Sequence, residues 1–451
     1  MKPLQFIFRG EIREISEMDP TYTVLRWLRE EEGHMGTKEG CAEGDCGACS
    51  VVLGELDAAG KMTYRALNAC IQFMPMLHGK WLLTVEDLER FQDKGQLHPV
   101  QQAMVDTSAS QCGFCTPGIV MSLFALYRNE ARPNVSRVND CLAGNLCRCT
   151  GYGPIIESAQ KMYDGQEGSG FLPAEANAID LLKQIDASEC MHVGNGKRHF
   201  YAPSNSEELA ALYQEHPNAT LVAGATDVGL WVTKMHRELE PVIYLGRVRD
   251  LSEIQDKGDH LLIGAAVTYS QAHKVIGDEY PDFGELIRRI GSTQVRNAGT
   301  IGGNVANGSP IGDTPPALIA LGAEVILQKG NVERVLPLEE FFIEYGKQDR
   351  AASEFVKAIR LPKSSKGQIF RSYKISKRFD QDISAACGAF ALKLEGNVVQ
   401  DIKICFGGMA GVPARARQAE TALLGVDWNE ENVRKAMSAM EGDYSPLTDM
   451  R

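Results

Sequence analysis

Three cysteines fall within nine residues near the start of the chain, in GTKEGCAEGDCGACSVVLG, residues 36–54. With Cys70, in ALNACIQF, they form a C-x4-C-x2-C...C set: Cys41, Cys46, Cys49 and Cys70. By that spacing an irregular loop wraps a [2Fe-2S] cluster while a distant fourth thiolate closes it. Gly40, Gly44 and Gly47 suit such a loop, because a backbone passing close to sulfur must turn sharply, allow positive φ and aim N–H groups inward. Four thiolates also suit a structural zinc ion. Zinc sites usually pair short C-x2-4-C knuckles, however, and the gaps here do not have that form.

A second set is Cys112 and Cys115 in SQCGFCTPG with Cys147 and Cys149 in GNLCRCTGYGP. Pro117 and Pro154 follow the two pairs, and after them come the amphipathic runs IVMSLFALYRNE and IIESAQKMY. Proline suits the first turn of a helix, so the pattern places both pairs at helix N-termini. There the unpaired N–H groups and the positive end of the helix dipole stabilise thiolates and a negatively charged cluster. The two half-sites read as a quasi-repeat joined by helix-on-helix packing. Arg148 either offsets cluster charge or faces solvent, and on spacing alone zinc stays open at this site. Cys141, Cys190, Cys387 and Cys405 lie in no motif and read as buried apolar thiols. The nine histidines show no metal-ligand spacing.

These sites need a scaffold larger than one core. At 451 residues the chain implies two to four domains. With 44% hydrophobic and 24% charged residues it is globular rather than disordered. A net charge of -12 speaks against nucleic acid or an anionic membrane surface as partner. The opening MKPLQFIFRGEIREI alternates like a strand and lacks a signal-peptide core, and no apolar stretch approaches the roughly 20 residues of a membrane span. A cytoplasmic location is expected, where structural disulfides are rare and clustered thiols point to metal.

Around the first set, Leu4–Phe8 and Glu11–Ile15 read as a hairpin turned at Arg9-Gly10, residues 23–32 as a helix and residues 49–53 as a strand. Together they predict a ferredoxin-like β-grasp. Residues 165–189 begin with glycines and charges, hold one short helical stretch and read as an interdomain linker. A helix opened by Ser204 or Ser206 and a strand over residues 220–223 then start a further domain.

GTKEGCAEGDCGACSV, QCGFCTPG and GNLCRCTGY are similar, nearly word for word, to the iron–sulfur region of the xanthine dehydrogenase and molybdenum hydroxylase family. The resemblance covers the first third of the chain and implies a [2Fe-2S] cluster at each set, the second in a four-helix domain.

Further on, LVAGATDV and TIGGNVANGSPIGD place small residues directly after strand-like runs, where backbone N–H groups can approach a pyrophosphate. Either loop alone could be a tight turn. No G-x-G-x-x-G is present, which leaves a Rossmann site unsupported. The pair resembles the FAD-binding domain of the same family, of the PCMH or vanillyl-alcohol-oxidase type. Carried over by motif, the flavin contacts are Leu221, Val222, Ala223, Gly224, Ala225, Thr226, Asp227 and Val228, then Thr300, Ile301, Gly302, Gly303, Asn304 and Asp313. A looser alignment adds Ile290, Val356 and Lys374. Asp227 stands where the family more often has glutamate, which puts any polar role of that side chain in question.

After residue 362, alternating strands and a helical tail resemble the family's small α/β C-terminal domain, CO dehydrogenase flavoprotein-like. Its segment KISKRFDQDIS, with Phe379 and Asp380, matches a loop that in the family lies by the isoalloxazine ring and affects NAD entry. Relatives usually continue beyond SPLTDMR.

The expected layout is therefore a multidomain α+β chain: residues 1–80 a plant-type ferredoxin-like domain, 81–164 a helical [2Fe-2S] domain, 165–192 a linker, 193–367 the FAD domain and 368–451 the C-terminal flavoprotein domain. No acid–base pair stands out as catalytic, and nothing resembles a molybdenum-cofactor pocket, so that cofactor is expected only on a large partner chain. The resemblance implies a xanthine dehydrogenase electron-transfer subunit, carrying electrons from purine hydroxylation on the partner through two clusters to FAD and on to NAD, assembled as a dimer of heterodimers. Alternatives are the equivalent part of an aldehyde oxidase or another molybdenum hydroxylase and, from a different class, a non-catalytic iron–sulfur and flavin redox sensor.

Overall fold

Five strands open the chain: β1 (Leu4–Phe8), β2 (Glu11–Ile15), β3 (Ser50–Leu56), β4 (Met62–Asn68) and β5 (Trp81–Leu83), ordered β2-β1-β5-β3-β4. The computed structural model describes residues 2–93, 95–165, 170–185 and 188–445. The chain divides into two units, the first comprising Met1–Ser204, Asn218–Arg247 and Gly291–Ala298, the second Asn205–Pro217, Val248–Ile290 and Gly299–Arg451.

In the first unit, Arg9 and Gly10 both adopt positive φ at the β1–β2 turn, and β1 runs parallel to β5, as a β-grasp requires. The predicted helix is a short α-turn, Val24–Arg26, capped by the Thr23 hydroxyl and continued as a π-turn through Trp27–Glu31. It lays Val24, Leu25, Trp27 and Leu28 on the sheet, where Trp27 meets Phe6 and Phe8 edge-on. After the single turn Asp87–Arg90, four longer helices follow, Pro99–Asp106, Thr116–Asn129, Val135–Leu142 and Gly153–Lys161. Thr116–Asn129 is apolar nearly all round, with nine consecutive buried residues from Gly118 to Leu126, so it forms the centre of the helical domain.

The stretch read as a linker contains a 14-residue helix, Phe171–Gln184. Its Phe171 is fully buried and packs on Trp81, Phe91 and Phe124. Burial of a phenylalanine stabilises by about 1.5–3 kcal/mol, which holds this segment to the domain core rather than leaving it a spacer. Residues 166–169 and 186–187, also within the predicted linker, lie outside the described residues. A second sheet of the first unit, β6 (Met191–Asn195), β7 (Arg198–Ala202), β8 (Thr220–Val222) and β9 (Val242–Tyr244), has the order β6-β7-β9-β8 with parallel β7–β9 and β8–β9 pairs.

The second unit starts with the helix Ser206–Glu215, whose cap is Asn205 rather than either predicted serine: the Asn205 side chain accepts from Glu208 N. Its larger sheet is β10 (Ile254–Asp256), β11 (His260–Gly264), β12 (Glu324–Lys329), β13 (Val332–Pro337) and β16 (Phe355–Pro362), ordered β10-β11-β16-β12-β13; β14 (Phe342–Glu344) and β15 (Lys347–Gln348) form a separate hairpin. The C-terminal strands β17 (Gln368–Ile375), β18 (Ala386–Glu395), β19 (Val398–Gly407) and β20 (Ala414–Arg415) make an antiparallel sheet covered by helices Arg417–Leu423 and Glu430–Met440. No helix of the described residues is long and apolar enough to cross a membrane.

Candidate redox centres

The first cysteine loop is built from backbone. Cys41 Sγ accepts N–H groups of Glu43, Asp45 and Cys46 at 3.3–3.4 Å. Gly44 and Gly47 take positive φ, +80° and +70°, whereas Gly40 serves by close approach: a Cβ there would lie 2.7 Å from Cys46 Sγ. Asn68, at the end of β4, donates from Nδ2 to Gly44 O at 2.8 Å and tethers the loop to the sheet that carries Cys49 and Cys70. Cys49 and Cys70 are buried, while Cys41 and Cys46 are partly exposed. Cys41 interacts with Cys46 and Cys70, and Cys70 in turn with Cys49. Hydrogen bonds from Cys46 and Cys70 hold the Cys41 thiol far below the usual range; the same contacts, with burial, push Cys46 and Cys70 up.

The second set pairs Cys112 with Cys149 and Cys115 with Cys147. Cys115 is the N-cap of the Thr116–Asn129 helix, as the proline pattern predicts. The other pair sits further from its helix: Gly153–Lys161 starts after a turn in which Gly151 and Tyr152 have positive φ. That turn places the Tyr152 hydroxyl to accept Cys147 N at 2.8 Å, and Thr150 Oγ1 lies 3.2 Å from Cys147 Sγ. Burial raises Cys115 to about 12, with Cys147 adding to it; Cys147 itself is lowered, because the Thr150 hydroxyl and nearby N–H groups outweigh its burial. Cys112 and Cys149 are exposed, as is Arg148.

No trio of His, Cys, Asp or Glu among the described residues is grouped to hold a single metal ion. The second set meets two and two and the first as a chain, Cys46–Cys41–Cys70–Cys49; each gathers the four thiols that a two-iron cluster takes, two on each iron. Of the remaining cysteines, Cys141, Cys387 and Cys405 are buried and Cys190 is partly so; burial raises Cys141 to about 11.

The two cysteine loops touch. Leu146 N donates to Cys46 O at 3.0 Å, and Asn145 Nδ2 to Gly47 O at 3.1 Å. A Cβ on Gly47 would fall 2.1 Å from Gly144 O, and one on Gly118 2.1 Å from Gly47 O.

The predicted flavin contacts fall in both units. In the first, Leu221 and Val222 lie on β8, Ala223 and Gly224 follow, Ala225 turns at φ +59°, and Thr226 and Asp227 lead into the helix Val228–Thr233. Gly224 O accepts from Gln72 Nε2 at 3.0 Å, two residues after the ligand candidate Cys70.

In the second unit, Thr300 caps the helix Ile301–Asn307, accepting Gly303 N at 2.9 Å. Gly302 admits the Ala265 backbone so closely that a Cβ would come within 2.4 Å of it. Asn304 accepts from the Thr314 hydroxyl. Asp313 receives Lys374 Nζ at 2.6 Å and Ser384 Oγ at 2.5 Å, and both partners of this ion pair are over nine-tenths buried. Val356 is buried on β16 opposite Leu327, and Ile290 follows the helix Pro281–Arg288. Phe379 is exposed, but Arg289 covers its ring at 4.2 Å and donates to its carbonyl, pinning that loop. Sequence reasoning missed Ser384 and Thr314, although Ser384 closes the very segment singled out for Phe379.

Two sets of four thiols and two glycine-bearing turns are the features of an iron–sulfur flavoprotein. Family models match it in succession: the 2Fe-2S iron-sulfur cluster binding domain over residues 6–73, the [2Fe-2S] binding domain over 84–160, the FAD binding domain in molybdopterin dehydrogenase over 194–364 and the CO dehydrogenase flavoprotein C-terminal domain over 371–451. The chain belongs to the molybdopterin dehydrogenase family, with its two 2Fe-2S domains and its FAD-binding domain. It is 30% identical to a xanthine dehydrogenase of Emericella nidulans over 98% of its own length and 36% of that protein. It is 31% identical to a xanthine dehydrogenase/oxidase of Rattus norvegicus over 97% of this chain and 36% of that one. The chain thus spans about a third of the length of these curated relatives. Among solved structures, a carbon monoxide dehydrogenase from Hydrogenophaga pseudoflava aligns with TM-score 0.54 and 28% identity over 56% of this chain and 88% of that chain.

Proposed function

We propose that this chain is the iron–sulfur and FAD-bearing electron-transfer subunit of a xanthine dehydrogenase, with a separate molybdenum-cofactor chain hydroxylating hypoxanthine or xanthine and with NAD as terminal acceptor. The observation that carries the reading is the gathering of eight cysteines into two sets of four, whose loops share the Leu146–Cys46 hydrogen bond. Bound [2Fe-2S] clusters would supply one-electron transfer and FAD the change to two-electron chemistry.

Cys41, Cys46, Cys49 and Cys70 would hold one cluster and Cys112, Cys115, Cys147 and Cys149 the other. The three N–H groups on Cys41 Sγ and the Thr150 hydroxyl on Cys147 Sγ would stabilise negative charge on sulfur. The glycine turn at residue 224 and that at residues 302–303 would each suit a phosphate of FAD, and within the second unit the Asp313–Lys374 pair would present a fixed polar edge. Arg289, by holding the Phe379 loop, would govern access for NAD. Similarity to xanthine dehydrogenases along almost all of the chain supports the substrate. A second reading, a carbon monoxide dehydrogenase or related hydroxylase, draws on the structural likeness to that enzyme.

Purification with co-expressed partner chains and steady-state assay decide between them. Xanthine-dependent reduction of NAD is expected; turnover of carbon monoxide or aldehydes with none of xanthine would overturn the choice.

A further inference from the structure

The short helix Thr293–Ala298 is anchored on three sides within the first unit: Thr293 Oγ1 donates to Asp140 O at 3.0 Å, Asn297 Nδ2 to Ala66 O at 3.0 Å, and Arg65 Nη1 to Asn297 O at 2.8 Å. Between these anchors Gln294 is 1% exposed. Its Nε2 lies 3.1 Å from Ser50 Oγ, 3.0 Å from Ser122 Oγ and 2.9 Å from Asn145 Oδ1. Ser50 adjoins Cys49, Asn145 lies two residues before Cys147, and Ser122 is on the helix that Cys115 caps. One amide therefore meets both cysteine sites.

Its orientation is forced. Gly47 O can only accept, so Asn145 must turn Nδ2 toward it and Oδ1 toward Gln294; two acceptor oxygens cannot meet at the 2.9 Å that separates the amides, so Gln294 must present its NH2. Both serines are committed elsewhere as donors, Ser50 to Gly47 O at 2.8 Å and Ser122 to Asn145 Oδ1 at 2.7 Å, so each can only accept from Gln294, whose two amide hydrogens are shared among these three oxygens. Gln294 Oε1 is buried with no hydrogen-bond partner among the described residues, and a Cβ on Gly144 would fall 2.1 Å from it. A leucine would satisfy the volume and spare that orphaned oxygen. Keeping an amide here leaves a buried acceptor unpaired, a cost of about 1–3 kcal/mol, so packing alone does not explain the residue.

We propose that Gln294 is a positioning residue for electron transfer between the two clusters. It fixes Asn145, and Asn145 with Leu146 sets how the Cys46–Cys49 loop lies against the Cys147 loop. The inference rests on the reading of both cysteine sets as [2Fe-2S] sites.

The test is an anaerobic redox titration of the full chain followed by EPR, in wild type, Gln294→Leu and Gln294→Glu. Leucine removes the donor, and glutamate opposes Asn145 Oδ1 with an acceptor at unchanged size. Both variants are expected to keep two clusters while the partition of one electron between them changes at least tenfold, which is about 59 mV in the midpoint difference, with altered spin–spin splitting. Wild-type midpoints and splitting in a variant that retains both clusters would overturn the proposal. So would loss of a cluster in both variants, since Gln294 would then serve assembly alone. Absence of two [2Fe-2S] signals in the wild type would instead sink the parent reading.

Discussion

The two cysteine sites solve one problem by opposite means. The first recruits backbone: a glycine loop folds N–H groups onto Cys41 and closes over a sheet in which Cys49 and Cys70 are buried. The second recruits side chains and helix starts, with Tyr152 and Thr150 serving Cys147, and leaves Cys112 and Cys149 exposed. Exposure and hydrogen bonds to sulfur both tune the potential of a cluster. Were each set to hold a [2Fe-2S] cluster, the difference would give the two sites distinct potentials without distinct ligands.

The severest way to break the comparison is at their seam. Gly47→Ala would place a Cβ 2.1 Å from Gly144 O at a φ of +70°, so both loops must move. Loss of iron from both sites is expected by metal analysis, and full iron content would show the seam to be slack. Next, Cys70→Ser and Cys149→Ser should each remove a different EPR signal and take iron from about four to about two per chain; one shared loss would merge the sites.

Acid should act on the first region's sheet. Burial would raise the Glu55 carboxyl, but Arg65 and Lys80 outweigh it and depress the group from 4.5 to about 2. A depressed carboxylate contributes stability that is present above pH 4.5 and lost as pH falls toward about 2. Thermal melts across that window should show the loss, and Glu55→Gln should flatten that part of the profile. The smallest effect is expected from Tyr152→Phe, which frees Cys147 N–H and should shift the midpoint of the second cluster alone. Equal shifts in both would contradict separate tuning.

Much of this was legible because it is local. The Arg9-Gly10 hairpin, the prolines behind each cysteine pair and the short gaps within each cysteine loop each signal within a dozen residues. The Phe171–Gln184 helix was read as linker because glycines and charges precede it, while the aromatic pocket that buries Phe171 comes from residues 81, 91 and 124. Gln294 was invisible for a similar reason: it meets Ser50 across 244 positions, and no periodicity reports such a contact. Nor did sequence show that the predicted FAD domain contributes segments to both units, with residues 221–228 in one and 300–313 in the other.

The account's central claim is that one chain carries two different two-iron centres together with a flavin site. EPR of the anaerobically purified full chain, recorded after reduction and read with its iron and flavin content, tests it most directly. Two distinct [2Fe-2S] signals, about four irons and one FAD are expected. A colourless zinc protein, or a single signal with two irons, would contradict it.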